Sequence, residues 1–113
     1  MIQPPAIYTV TDPGFRLAGE QEVLTLVSLS WETQIDRFLL PGSALPPEFF
    51  DLSSGLVGVL TQKLSNYRLR VAAVHPDQPA WSSPFQDFAA ESRRGRTFGL
   101  FADTASAETW LLG

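Results

Sequence analysis

The residues that could do chemistry are few and lie close together: Asp51-Leu52-Ser53-Ser54-Gly55, and the lone His75. A hydroxyl, an imidazole and a carboxylate can act as nucleophile, base and orienting group. Ser53 or Ser54 with His75 and Asp51 supply those three types. No Gly-x-Ser-x-Gly turn is present to aim a serine at a substrate, so a hydrolase is the weakest of the readings and no catalytic residue is assigned. Asp51, Ser53 and Ser54 read more simply as the start of a helix, whose free N–H groups take capping oxygens and would favour an added phosphate. His75-Pro76-Asp77 reads as a loop leaving a strand.

Other chemistries are excluded by composition. The chain has no cysteine and one histidine, which removes disulfides, thiolate zinc sites and cysteine nucleophiles and leaves no metal set or cofactor to assign. Neither a Gly-x-Gly-x-x-Gly turn nor a Walker loop occurs. Eight Lys and Arg against twelve Asp and Glu give a net charge of −4, which argues against nucleic acid and anionic membranes as partners. No apolar run approaches the roughly 20 residues that cross a bilayer, and the N-terminus lacks a charged-then-apolar signal. A cytoplasmic chain is expected.

These residues must be positioned by the elements around them, and 113 residues, 44% apolar, make one domain over 1–113. Ala6 to Thr11 alternates, Asp12-Pro13-Gly14 is a turn, and Phe15 to Ala18 continues, which predicts an N-terminal hairpin or bent strand. Glu20 to Thr33 fits both periods. Its length and early acids favour a helix with Val23, Leu24, Val27 and Trp31 on one face. Strands are predicted at Ile35 to Leu40, Arg68 to Val74 and Thr97 to Ala102, with Val71-Ala72-Ala73-Val74 apolar on both faces as a central parallel strand would be.

A helix from Gly55 to Asn66 presents Leu56, Val57, Val59, Leu60, Leu64 and Tyr67 on one arc. Ser83-Pro84-Phe85-Gln86 opens another that Gly95 stops in a left-handed turn. Asp103 and Thr104 cap a last helix carrying Ala107, Trp110 and Leu111. The aromatic residues Trp31, Phe49, Phe50, Trp81 and Trp110 are expected in the core. The fold class is α/β: a mostly parallel sheet of about 4–5 strands, mixed at its N-terminal edge, with about 4 helices.

In such a domain, helix ends and strand starts share one rim. That rim gathers Lys63, Arg68, Arg70, Arg93, Arg94 and Arg96, either as partners of helix carbonyl ends or as a docking patch for an acidic partner. Asp51, Ser53, Ser54 and His75 gather on the opposite rim, where α/β folds place ligands. Lys63 falls inside an apolar arc and is expected to snorkel to water, with a pairing to Glu91 or Asp51 as the alternative.

Pro47-Glu48-Phe49-Phe50-Asp51-Leu52, Gly55-Leu56, Gln62-Lys63, Asn66-Tyr67 and Glu91-Ser92-Arg93-Arg94-Gly95-Arg96 resemble the small bacterial family catalogued as domain of unknown function 4180. The likeness covers the C-terminal two-thirds in order. Ser54 stands where that family usually has Thr, and Arg93 where it tends to have Asn. This resemblance implies a bacterial stand-alone domain and carries no reaction. A weaker similarity is to the anti-sigma-factor antagonist (STAS, SpoIIAA-like) fold, whose switch segment Asp-Ser-Ser-Gly-Leu is interrupted here by Leu52. It implies that Ser53 or Ser54 is a modified hydroxyl.

The reading that follows is a non-enzymatic regulatory or protein-interaction domain with a protein partner and room for a symmetric homodimer. A small-molecule or anion-binding site at the strand carboxyl edge, near Asp51, Ser53 and His75, is the second reading.

Overall fold

The computed structural model describes residues 6–75 and 83–113. Strands β1 (Tyr8–Thr9), β2 (Arg37–Pro41), β3 (Arg70–Val74) and β4 (Phe98–Phe101) alternate with helices α1 (Glu20–Thr33), α2 (Leu56–Asn66), α3 (Ser83–Ser92) and α4 (Thr104–Leu112). All three strand pairings are parallel and the order across the sheet is β1-β2-β3-β4. The fold is α/β.

Crossovers that step the same way along a sheet in the right-handed sense carry their helices on one face. Accordingly Val23 and Leu26 of α1, Leu60 and Leu64 of α2 and Phe85 of α3 share a core with Phe38, Leu40, Val71, Ala73, Phe98 and Leu100. The intervening strand residues Leu39, Ala72 and Phe101 face the other way, onto Ala107 and Leu111 of α4. Side chains that alternate along a strand divide the sheet residues between these two layers. β3, buried at Val71, Ala72 and Ala73, is central as its double-sided apolar run requires.

The N-terminal hairpin does not form. Of residues 6–18 only Tyr8 and Thr9 are strand, and they pair parallel to β2, so among the described residues the sheet has no mixed edge. The Asp12 carboxylate accepts the Gly14 N–H at 2.9 Å, and this turn sends the chain into the crossover. Leu17 is then buried, its N–H donating to the Ala44 carbonyl at 2.7 Å. Residues 15–18 cover the core edge as irregular chain.

Several side chains depart from their expected faces. α1 buries Val23, Leu26 and Val27 and leaves Trp31, in its last turn, 72% exposed. Val59 of α2 and Tyr67 just past its end are likewise exposed. Gly95 is not left-handed; Gly55 is the glycine with positive φ among the described residues. Phe49 is core and packs edge-on against Phe85 at 5.9 Å. Phe50 and Trp110 are half-buried. Pro76, Asp77, Trp81 and the cap expected of Ser83 lie outside the described residues.

Candidate functional site

Three short 3₁₀ turns, Gly42–Ala44, Pro47–Phe50 and Leu52–Ser54, carry the chain from β2 to α2. The last turn holds the hydroxyls. Asp51 caps it, its Oδ1 accepting the Ser53 N–H at 3.0 Å and the Ser53 hydroxyl at 2.6 Å. The Ser54 hydroxyl donates to the Glu48 carbonyl at 2.8 Å and accepts the Leu56 N–H at 3.2 Å. Gly55 at φ 80° then admits the left-handed step into α2. All four polar residues, Glu48, Asp51, Ser53 and Ser54, are exposed.

His75 leaves β3 at the same rim, its N–H donating to the Phe101 carbonyl at 2.8 Å. Its ring meets Phe50 edge-on at 5.0 Å. The geometry thus joins Asp51 to Ser53, turns Ser54 to the Glu48 backbone, and sets an aromatic ring against the imidazole. Gly42, which the sequence marks only as punctuation after Pro41, sits against His75: a Cβ there would stand 2.7 Å from the Val74 carbonyl oxygen and 3.0 Å from His75 Cδ2.

Two hollows open near this rim. One, of about 580 Å³, lies between Ala18, Gly19, Glu48, Ser54, Gly55, Leu56 and Val59. The other, of about 300 Å³, is lined by Thr9, Val10, Leu39, Leu40, Pro41, Gly42, Val74 and Thr104. No group of His, Asp and Glu able to hold a metal occurs among the described residues.

The opposite rim divides its cations. Arg70 donates from Nη2 to the Trp110 carbonyl at 2.8 Å, from Nη1 to Leu111 at 3.2 Å and from Nε to the Arg96 carbonyl at 3.0 Å. Its Cζ stands 4.4 Å over the Trp110 ring, a cation–π contact. Arg37 also donates to the Leu111 carbonyl, and Arg96 to that of Gly113 at 3.1 Å. Burial, then the neighbouring Arg37 and Arg96, lower the pKa of Arg70, opposed by Asp36. These guanidinium groups close the carbonyl end of α4, as its dipole favours.

The Trp110 indole N–H completes the clamp by donating to the carbonyls of Arg93 at 3.1 Å and Gly95 at 3.2 Å. Sequence reasoning left Arg37 out of this cluster and gave Trp110 only a core role; no local motif marks either. Arg68 (φ 58°), Arg93 and Arg94 remain exposed. Lys63 lies in the last turn of α2 and pairs with neither Glu91 nor Asp51. Its Nζ lies 3.5 Å from Glu20 Oε1, because a helical side chain leans toward its own N-terminus.

The family model described as Domain of unknown function (DUF4180) matches residues 3–111. The chain belongs to that family. The DUF4180 match spans both rims and extends the likeness carried by residues 47–96 over nearly the whole chain. No curated protein and no solved structure matches the chain. This DUF4180 domain has no helix, among the described residues, long and apolar enough to cross a membrane.

Proposed function

We propose that this domain is a non-enzymatic regulatory or protein-interaction module of the bacterial cytoplasm, docking a partner protein at the rim where α2 begins. The 580 Å³ hollow beside Glu48 and Ser54 carries this reading, because Leu56 and the 49% exposed Val59 line it. Apolar side chains gathered beside a polar-edged hollow are the composition of a docking surface. A photo-crosslinking residue at Val59 in host cells is expected to capture a discrete protein, and one at Thr109 on α4 is not. Equal capture from both positions, or none from Val59, rejects the reading.

The regulatory part draws on the likeness of the 51–56 turn to the STAS switch segment. Ser54 is the better placed hydroxyl. Its oxygen already faces the Leu56 N–H, so a phosphate would meet the positive end of α2. At Ser53 it would meet the Asp51 carboxylate. Mass spectrometry of protein from its host is expected to find phosphate on Ser54; phosphate on Ser53 alone, or on neither, counts against the switch.

The 300 Å³ hollow at the carboxyl ends of β1, β2 and β3 favours a second reading, a small-molecule site. A thermal-shift screen of metabolites tests it by mass action; no stabilisation by any of them rejects it.

A further inference from the structure

We infer that the hollow at the start of α2 receives a second copy of this chain, with Tyr67 and Arg68 of one molecule entering beside Glu48 and Val59 of the next. The inference rests on the reading that this hollow is a docking site, and it names the occupant.

Charge complementarity is the first argument. The rim around the hollow carries Glu20, Glu48 and Asp51, with Lys63 turned onto Glu20 and the one nearby arginine, Arg16, turned onto the Pro13 and Phe15 carbonyls. At the other end of the strands, Arg68, Arg93 and Arg94 are exposed. Between Glu91 and Asp103 the chain holds three arginines and no acid. Three acids share that basic rim: Glu32, Asp36, which lies 3.8 Å from Arg37, and Glu91 in the last turn of α3. The domain is therefore polar along its strands, and two copies attract when stacked basic rim on acidic rim.

Shape supplies the second argument. α2 begins at the hollow and ends at Asn66, followed by Tyr67, 41% exposed, and Arg68 at φ 58°. An aromatic ring beside a guanidinium is a common interface anchor. The hollow offers Val59 and Leu56 to the ring and the Glu48 carboxylate to the cation. Stacked this way, successive α2 helices run head to tail, with the negative end of one dipole at the positive end of the next. The two surfaces are different patches of one molecule, so the contact adds chains into a ring or a filament and association continues past a dimer.

Sedimentation velocity tests this on the full chain. At low ionic strength, about 20 mM salt, the weight-average mass is expected to rise with concentration beyond two chains, and to fall toward one chain in about 0.5 M salt. Arg68→Glu and Glu48→Arg should each weaken association at least about tenfold, and mixing the two variants should restore it. Both positions are exposed, and circular dichroism confirms folding; if either variant misfolds, Tyr67→Ala replaces it with the same expected loss.

A wild type that stays monomeric, an association that stops at two chains, or one the charge reversals leave unchanged overturns the inference. In cells, the crosslinker at Val59 separates it from the reading it rests on. Capture of another copy supports both, capture of a different protein overturns only this inference, and no capture overturns both.

Discussion

Gly42 and Gly58 are the same residue type in opposite circumstances. A Cβ at Gly42 would press on the Val74 backbone oxygen, which cannot swing aside, whereas nothing lies within 4 Å of one at Gly58 inside α2. Gly42→Ala is expected to destabilise by about 1–3 kcal/mol, and Gly58→Ala to stabilise by about 0.5–1 kcal/mol. Thermal melts of the two variants should move in opposite directions. Asp103 makes a different kind of statement. The Ser106 N–H and hydroxyl hold its carboxyl below the usual aspartate range.

A folded pKa below the unfolded one stabilises at neutral pH, and this contribution fades as pH falls from the ordinary aspartate value through the folded one. Asp103→Asn keeps a good capping side chain and should flatten the acid limb of stability against pH. A denaturant midpoint that falls as steeply in the variant refutes the assignment. Asp103 was legible in the sequence because a cap needs only its own helix. Gly42 was not, because what crowds it comes from β3, about thirty residues on in the chain.

Among the elements, α4 depends most on distant residues. Among the described helices it is the one on the second sheet face, and its carbonyl end is held by Arg37, Arg70 and Arg96 from three separate segments. Arg70→Met keeps the packing stem and removes the donors, a loss of about 1–2 kcal/mol for a partly exposed group. Native-state hydrogen exchange should show α4 amides exchanging faster while those of α1 keep their protection. Uniform acceleration throughout would mean that the clamp is not local.

The helices themselves were readable: α1 matches its predicted span, since length and first-turn acids outweighed an equally good strand pattern. The hairpin failed for the converse reason. Asp12-Pro13-Gly14 announces a turn, but a turn does not say whether the chain returns beside its own strand or departs on a crossover. Which face of α1 is buried was also misread at Trp31, because hydrophobicity marks a residue that resists water without saying which surface takes it in.

At the scale of the molecule, the separation of charge between the rims followed from alternating elements, and Arg68, Arg93 and Arg94 kept the side assigned to them. Lys63 stands in the last turn of α2 as well, but its ammonium reaches Glu20, since a long side chain can end far from its Cα. The main core is tied together by Phe49, which touches Phe50, Phe85, Phe88 and Phe98 with ring centroids 5.2 to 6.5 Å apart. Phe49→Ala should cost about 3–5 kcal/mol. Equilibrium denaturation would register it as an earlier midpoint, and a change under 1 kcal/mol would show that the neighbouring rings close the gap.

The order of strands in the sheet repeats their order in the chain. Each new strand therefore joins the outer side of the one before it, and no ladder already made has to open to admit a latecomer. A polypeptide emerging from the ribosome can lay down this sheet from its first edge outward, keeping what it has built.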